Sequence, residues 1–528
     1  MRSGGGADPV QANSILKNTA VVGAMTALSR VLGLVREMFQ SRLVGAGVEQ
    51  SAFSLAFAIP NMMRKLFGEG ALTAAFVPVF KGEVEAGRMD SARRLARAVM
   101  TMSVLMLAAA SALAIAGLST ALNWAPALSE RTALTLRLTR ILVPYMVFIC
   151  GSAFGMGVLN ALGKFAAASL VPCLLNVVWI ATLGALCFFP GMPIAVRVMW
   201  VSGAILLAGA LQMAFMFRCM ARRGVSPRPS FAGWRDANTR LVWRNMLVAA
   251  VGAGAVQINY MLDQVLAQAA SPWAAGVIGY AERLMDLPLG IVGVAFGTVL
   301  LPTFSGFFAK DDVDGARKAF LSSTDKLLFV MVPAAVGVGV LAPDMTQVIY
   351  EGKAFDATAT VRVSRAVACY AAGLGFFGLQ KTLVPWFQAQ KDMKTPLSVS
   401  VKMVFLNATL NILAVWLLPV EWRHVGLAAS TVLCAGVACV CLAMCARRKN
   451  GSLGLRALLR PVGRTLTAAA AMGWAVVAAR SKLIALTSAR GWDGAAANVA
   501  RLATLVALGG AAYFAMQFLL GRLSRKGR

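Results

Sequence analysis

Apolar residues recur along the whole chain in runs of about 20, the length at which an α-helix crosses the hydrocarbon core of a bilayer. Charged or Pro/Gly-rich breaks separate these runs, and no long polar segment lies between them. The pattern predicts an all-α polytopic membrane protein with about 14 transmembrane helices. The predicted spans are 18–45, 51–80, 92–120, 133–161, 165–189, 196–220, 242–270, 274–307, 325–350, 363–389, 394–418, 425–446, 461–482 and 498–521.

A repeated loop motif predicts that these helices form two lobes. The second span ends Pro78-Val79-Phe80 and is followed by Asp90-Ser91-Ala92-Arg93-Arg94. The eighth span ends Pro302-Thr303-Phe304 and is followed by Asp314-Gly315-Ala316-Arg317-Lys318, with the same spacing from proline to aspartate. A chance match is the alternative, but hydropathy alone does not require a shared loop motif. We therefore expect two six-helix lobes in a parallel pseudo-repeat plus two C-terminal helices, a transporter plan in which access alternates by rocking.

The positions of Lys and Arg predict the orientation. They concentrate in alternate loops, whereas the connections 45–51 and 269–276 contain none. The positive-inside rule then places the basic loops and both termini in the cytoplasm. The predicted boundaries are a disordered tail at 1–17, an N-lobe at 18–221, a basic linker at 222–241, a C-lobe at 242–447, a loop at 448–460, accessory helices at 461–522 and a tail at 523–528.

Composition excludes several functional classes. Hydrophobic residues make up 59% of the chain and charged residues 14%, which argues against a soluble fold. The net charge is +29, but the Lys and Arg residues that produce it lie mostly in alternate loops. This distribution does not indicate nucleic-acid binding. The nine cysteines lie in or at the ends of apolar runs, and with one histidine, His424, we expect no zinc or haem site. We also expect no enzyme, because a membrane-embedded glycosyltransferase or phosphatase needs acids clustered at a membrane face.

Ionisable residues inside the spans are the candidate functional residues, because a charge in the membrane is costly unless it is paired or lines a wet cavity. Lys65 and Glu69 have the i,i+4 spacing of an ion pair, which leaves Arg64 without an obvious local partner. The full set comprises Arg30, Arg36 and Glu37 in the first span, Arg64, Lys65 and Glu69 in the second, and Glu282, Arg283 and Asp286 in the eighth.

Arginines from both lobes predict a cavity that binds an anion. Guanidinium groups bind a diphosphate with paired donors, and a lipid-linked diphosphate suits a protein with no soluble domain. The alternatives are a small anion, or arginines that only snorkel to the interface or pair with nearby carboxylates. For Arg30 and Arg64 we favour the cavity, because each lies more than a turn inside its span.

A second candidate site surrounds one further carboxylate. Asp263 lies well inside the seventh span, with Asn259 one turn before it, and the eleventh span carries Asn407 and Asn411 at the same spacing. One carboxylate with several neutral oxygens is typical of a monovalent cation site, so a sodium ion or a proton is the candidate coupling ion. Hydrogen bonding between helices is an equal alternative.

An ordered string of motifs resembles the MurJ (MviN) family of lipid II flippases. The motifs are Ser29-Arg30-Val31-Leu32-Gly33, Arg36, Gly45-Ala46-Gly47, Ala56-Phe57, Pro60-Asn61, Arg64, Glu69-Gly70-Ala71, Phe76-Val77-Pro78, Glu282-Arg283-Leu284-Met285, and Pro288 through Pro302. The resemblance covers about spans one to twelve. It departs at Ser51, where the family usually has Asp, and at Glu37, where it often has Asp; Glu49 lies two residues from Ser51.

The resemblance implies a member of the multidrug/oligosaccharidyl-lipid/polysaccharide exporter superfamily, with fourteen helices and a cationic central cavity. It implies a flippase that moves lipid II to the periplasmic leaflet of the bacterial inner membrane, with Arg30, Arg36, Arg64 and Arg283 as substrate-binding residues. Glu37, Lys65, Glu69, Glu282 and Asp286 are expected to support the cavity or its gate. The last two helices resemble the family's groove for the polyprenyl tail.

The expected partners are lipid II, membrane lipids and other cell-wall synthesis proteins, with the protein working as a monomer and without a cofactor. An exporter of another polyprenyl-linked saccharide or of a drug is the alternative function.

Overall fold

The computed structural model describes residues 9–66, 72–124 and 128–526, which are almost entirely helical. A short 3-10 helix spans Leu455–Leu458. The α-helices are α1 Pro9–Val44, α2 Val48–Met63, α3 Leu72–Glu85, α4 Met89–Trp124, α5 Glu130–Leu142, α6 Tyr145–Ala161, α7 Phe165–Leu186, α8 Ile194–Ala221, α9 Ala237–Ala270, α10 Ala274–Phe308, α11 Val313–Tyr350, α12 Ala357–Ala389, α13 Lys394–Leu417, α14 Val420–Asn450, α15 Leu459–Ala489 and α16 Ala495–Lys526.

The predicted all-α membrane fold is confirmed. Ten helical segments of the described residues are long and apolar enough to cross a membrane, α5 and α6 counting as one segment. The other four predicted spans coincide with α1, with α2 and α3 together, with α9 and with α10. The count of 14 crossings itself stays a prediction.

A proline explains where one predicted span is interrupted, and another lies close to the end of α2. Between α5 and α6, Pro144 has no N–H to continue the i→i−4 pattern, and the next amides bond three residues back, Met146 to Val143 and Val147 to Pro144. In the second span, Pro60 lies one turn before the end of α2. A π-helical turn at 64–66 follows α2, and such turns are frequent at functional sites.

The chain divides into two compact units, one ending at Met261 and the other beginning at Leu262, inside α9. In the first unit α1 packs on α7, and α8 packs on both α6 and α7. In the second unit α12 packs on α10, α11 and α14. The last two helices, α15 and α16, pack on each other and on α11, around Leu341, Met472 and Tyr513.

A turn at one end of the second unit is fixed by a carboxylate. Asp392 accepts hydrogen bonds from the Thr395 amide at 3.0 Å and from Lys449 Nζ at 3.0 Å. These bonds favour the charged form and lower the pKa of Asp392 to about 2. The charged carboxylate therefore caps the start of α13 and ties it to the end of α14.

Glycines permit close packing of α6 and α8 in the first unit. A Cβ at Gly209 of α8 would lie 2.6 Å from Cδ2 of Tyr145, which is buried at the start of α6. On α6, a Cβ at Gly155 would lie 2.8 Å from Met216 Cβ. Small residues at such contacts are the usual means by which membrane helices approach closely.

We expect Gly209→Ala to destabilise the protein by about 1–3 kcal/mol, because the added methyl group overlaps a ring that cannot move within a packed core. Gly203→Ala on the same helix is the control, since a Cβ there meets no atom of the described residues within 4 Å. Thermal unfolding of both variants in detergent measures the difference. Equal melting temperatures would contradict the packing argument.

Candidate functional site

The Arg36 guanidinium lies in a polar network between α1 and α7. Its Nη1 donates to Asn176 Oδ1 at 2.9 Å, and its Nη2 pairs with Glu37 Oε1 at 2.5 Å. Asn176 Nδ2 in turn donates to the carbonyl of Ser29 at 3.1 Å. The side chains of Arg36 and Glu37 are only 12% and 13% exposed, so the pairing is what makes a buried arginine tolerable.

An aromatic platform supports the same guanidinium. Arg36 Cζ lies 4.5 Å from the ring centroid of Trp179, a cation–π arrangement. Trp179 also packs edge-on against Phe53 and Phe57 of α2, at centroid distances of 5.7 and 5.9 Å. Its indole N–H donates to Gln40, so ring packing and a hydrogen bond both fix its orientation.

Arg30 lies six residues before Arg36 on α1 and is exposed on the surface of the first unit. The flanking Leu28 and Val31 are exposed as well. With the described residues Arg30 forms no hydrogen bond or ion pair. The Ser29 carbonyl beside it accepts the Asn176 hydrogen bond, so Asn176 holds the backbone next to Arg30 and the side chain of Arg36.

Arg64 begins the π-helical turn that follows α2. Its Nε and Nη2 donate to Asn61 Oδ1 at 3.2 and 3.1 Å, so the prediction that Arg64 lacks a local partner is wrong. The spacing i,i+3 on a helix brings the two side chains together. Lys65 Nζ lies 4.9 Å from the ring centroid of Tyr260, a residue of the same unit. Glu69, the expected partner of Lys65, lies outside the described residues.

The second unit carries the remaining candidate ions on α10. Arg283 and Asp286 are exposed on the surface of the unit, and Glu282 is half-buried. The helix then continues through Pro288 and Pro302 to Phe308. The substrate-binding role of Arg283 and the supporting roles of Glu282 and Asp286 stay predictions, as do the substrate-binding roles of Arg30, Arg36 and Arg64.

The second unit also joins three of the four residues of the predicted cation site. Asn411 Nδ2 donates to Asp263 Oδ1 at 2.7 Å and to Asn407 Oδ1 at 2.8 Å. Thr431 of α14 lies beside them, with its hydroxyl 3.5 Å from Asn407 Nδ2. Asn411 Oδ1 is buried and accepts no hydrogen bond from the described residues. Asn259, one turn before Asp263, is half-buried.

The sequence contains one cluster of acids next to a predicted span, which bears on the expectation that the protein is not an enzyme. Asp311-Asp312-Val313-Asp314 contains an Asp-x-Asp pattern at the start of α11. Asp312 caps the helix by accepting from the Gly315 amide at 2.7 Å, and Asp314 pairs with Arg317 at 2.6 Å. Two of its three carboxylates therefore serve the helix terminus. Among the described residues, no group of three or more His, Cys, Asp or Glu is placed to hold a metal ion.

Four polar residues of these networks are not predicted from the sequence pattern. Asn176, Trp179 and Thr431 lie on helices without intramembrane charges, so only the packing of α1 on α7 and of α13 on α14 reveals their partners. Asn61 had a usable signal, because it precedes Arg64 by three residues within the Pro60-Asn61 motif.

Comparison with solved structures shows the fold. The chain superposes on a structure described as lipid II flippase MurJ in an inward closed conformation with a TM-score of 0.75, covering 95% of this chain and 99% of that one at 20% identity. An inward-facing multidrug resistance MATE transporter of the MOP superfamily matches with a TM-score of 0.67 at 14% identity, covering 82% of this chain and 98% of that one.

Sequence relatives extend along nearly the whole chain. A protein of Rhizobium tropici named probable lipid II flippase MurJ is 32% identical, covering 96% of this chain and 95% of its own length. A relative of the same name from Vibrio cholerae is 33% identical over 80% of this chain and 81% of its own length. The lipid II flippase MurJ of Burkholderia cenocepacia is 29% identical over 96% of this chain and 98% of its own length.

The family model described as lipid II flippase MurJ matches residues 40–488, a range that contains Arg64, Asp263, Arg283, Asn407 and Asn411. This range covers most of the chain, and the similarity to the R. tropici protein extends beyond it. The chain therefore belongs to the lipid II flippase MurJ family.

Proposed function

We propose that this protein moves lipid II from the cytoplasmic to the periplasmic leaflet of the bacterial inner membrane. The family match over residues 40–488 is the observation that carries the proposal. The relatives that align along nearly its whole length are named lipid II flippases, which disfavours an exporter of drugs or other saccharides. Transport by alternating access of the two lobes is part of the proposal and rests on the sequence repeat.

The proposed substrate contact is between arginine side chains and the diphosphate of lipid II. Arg36 supports this role in the first unit, because its guanidinium is held by Asn176, Glu37 and Trp179 before any substrate arrives. The bonds to Asn176 and Glu37 each come from a different Nη atom, and each Nη atom carries a second N–H that can serve an oxyanion. A fixed guanidinium loses little conformational entropy on binding, which favours affinity.

We propose that Arg30 and Arg64 are the further diphosphate ligands of the first unit, and that Arg283 is the ligand of the second. Exposure suits Arg30 and Arg283 to a ligand that arrives from outside their own unit. The Asn61 bonds restrict the orientation of the Arg64 guanidinium. We propose that α15 and α16, which pack against α11, accommodate the polyprenyl tail, as the resemblance to the family implies.

We further propose that Asp263, Asn407, Asn411 and Thr431 form a monovalent cation site that couples transport to an ion gradient. The buried Asn411 Oδ1 without a hydrogen-bond donor supports the proposal, because a cation would satisfy this oxygen. Asp263 would supply the negative charge and the other side chains neutral oxygens. Moving a bound cation through the membrane potential is worth about 2.3 kcal/mol per 100 mV, enough to bias orientation. A proton on Asp263 is the alternative coupling ion.

We expect Arg30→Ala, Arg64→Ala and Arg283→Ala each to abolish cell-wall synthesis in a host depleted of its own flippase, while the protein still inserts. A lost hydrogen bond to a charged group costs about 1.5–3 kcal/mol, so lipid II affinity should fall on the order of tenfold to a hundredfold. Lys should rescue poorly because it lacks the paired donors of a guanidinium. Growth and exposure of lipid II on the outer leaflet are the measurements.

Arg42→Ala is the control for this series, because Arg42 is an exposed arginine on the last turn of α1 and should tolerate replacement. Normal synthesis with all three alanine variants would remove the arginines from the proposed site. Unchanged lipid II exposure after depletion of the protein itself, in a host without another flippase, would reject the function.

A separate prediction concerns Asn176, which we assign to positioning Arg36. Asn176→Leu should lower lipid II affinity of the folded protein by about tenfold, since it removes one hydrogen bond to a charged group. Asn176→Asp keeps an oxygen for Arg36 and should retain most of the affinity. Cys173→Ala is the matched control, because Cys173 joins α7 to α1 at the Met25 carbonyl without contacting Arg36. Equal affinity losses in Asn176→Leu and Cys173→Ala would mean that Asn176 serves only helix packing.

For the cation site, we expect sodium chloride to raise the melting temperature of the purified protein relative to choline chloride at equal ionic strength. Binding to the folded state alone stabilises it by mass action. Asp263→Asn should abolish the sodium effect, whereas Glu351→Gln, a carboxylate near the far end of α11, should preserve it. A sodium effect of the same size in Asp263→Asn would exclude this residue, and stabilisation by acid instead of sodium would favour the proton.

A further inference from the structure

The segment that joins α8 to α9 is anchored along α4 of the same unit. Arg97 Nε donates to the carbonyl of Ser226 at 3.3 Å, and one turn further along α4 the Thr101 hydroxyl accepts the amide of Ser230 at 2.9 Å. At the start of α9, Asn238 Nδ2 donates to Glu83 Oε1 at 3.1 Å. Residues 226–238 therefore have a fixed course over the first unit instead of forming a loose tether.

This course follows the boundary between the charged and the apolar parts of α4. Arg97 is the last charged residue of the helix, and none occurs from Ala98 to Trp124. A helix that spans a membrane passes from water into hydrocarbon at such a change. Because Ser226 and Ser230 bind on either side of this change, the pattern predicts that the segment lies at the level of the lipid headgroups.

Two large aromatic side chains follow the Thr101 contact directly. Phe231 is 61% exposed and Trp234 48% exposed, although the segment is held against the protein on either side of them. A tight turn places them together, with the Trp234 amide donating to the Phe231 carbonyl at 3.2 Å. Gly233 has φ +90, which only glycine adopts without strain, so the turn is built into the sequence.

One arginine stacks on the Trp234 ring, and further arginines lie in the same segment and on the neighbouring α4. The Arg235 guanidinium carbon lies 4.7 Å from the centroid of the Trp234 ring, and Arg240 donates twice to the Arg235 carbonyl. Arg228 of the same segment and Arg94 of α4 are both exposed. Asp236 is the one exposed acid of the segment. Aromatic rings at headgroup level with arginines beside them are the usual signature of binding to an anionic membrane surface.

We propose that residues 226–236 form a membrane-surface anchor in which Phe231 and Trp234 enter the headgroup region and Arg228 and Arg235 bind the phosphates of anionic phospholipids. The positive-inside rule accounts for basic loops in general, but it requires neither a fixed course at the interface nor two uncovered aromatic rings. The anchor holds the connection between α8 and α9 to the membrane, and the proposal is independent of what the protein transports.

The test uses the full-length protein in nanodiscs of phosphatidylcholine, with or without phosphatidylglycerol. Amide hydrogen exchange of residues 226–236 should slow severalfold when phosphatidylglycerol is present. Tryptophan fluorescence of the wild type minus that of Trp234→Phe isolates one ring, and lipids brominated near the headgroup end of their chains should quench this difference signal. Phe231→Ser with Trp234→Ser should remove the protection.

Two double variants that remove equal charge distinguish specific phosphate contacts from a general electrostatic attraction to the membrane. Arg228→Gln with Arg235→Gln should abolish the response to phosphatidylglycerol, whereas Arg222→Gln with Arg223→Gln removes the same charge just before the anchored segment and should preserve it. An equal loss in both double variants would overturn the assigned phosphate contacts. An unquenched Trp234 signal would overturn the anchor, and so would hydrogen exchange that is the same in both lipids and in the serine variant. Either result would also be expected if a protein partner, and not lipid, covered these rings.

Discussion

The cost of burying a charge away from water governs this structure. Arg36 illustrates it: the guanidinium is almost covered, and α1 and α7 tolerate it because Asn176, Glu37 and Trp179 provide an acceptor, an opposite charge and an aromatic face. Those partners also fix the orientation of the arginine. The interactions that offset the cost of burying the charge therefore also orient it for the proposed anionic ligand. The packing of α1 on α7 is thus part of the proposed binding function.

In the second unit, the same cost of burial falls on a negative charge. Asp263 is bonded to Asn411, which is bonded to Asn407, so one carboxylate organises polar groups of α9 and α13. Where a hydrogen-bond donor is missing, at Asn411 Oδ1, the network has capacity for one further positive group. Arg36 and Asp263 are therefore complementary cases: each is a charge held by polar partners within its own unit, and the ligand proposed for each has the opposite charge.

Residues at the ends and contacts of helices determine where these charges lie. Glycines at the contact between α6 and α8 allow Tyr145 to pack closely, and Tyr145 contacts Phe57, which in turn contacts Trp179 beneath Arg36. Arg64 begins the π-helical turn after α2, and its bonds to Asn61 orient the guanidinium. The segment after α8, by contrast, leaves Phe231 and Trp234 exposed, and the proposed anchor places these rings in the headgroup region.

Hydropathy alone determined the fold class, because a bilayer forces each apolar run of sufficient length into a helix. Motifs around Arg30, Arg64 and Arg283 identified the family, and helical spacing paired Asn407 with Asn411 correctly. Only the tertiary structure decided the partners of these residues. Asn176, Trp179 and Thr431 carry no charge and lie far along the chain from Arg36 and Asp263, and nothing in a one-dimensional pattern specifies which helix packs beside which. A charged residue reveals its cost in the sequence, whereas the neutral group that offsets this cost is recognisable only once the helices have packed.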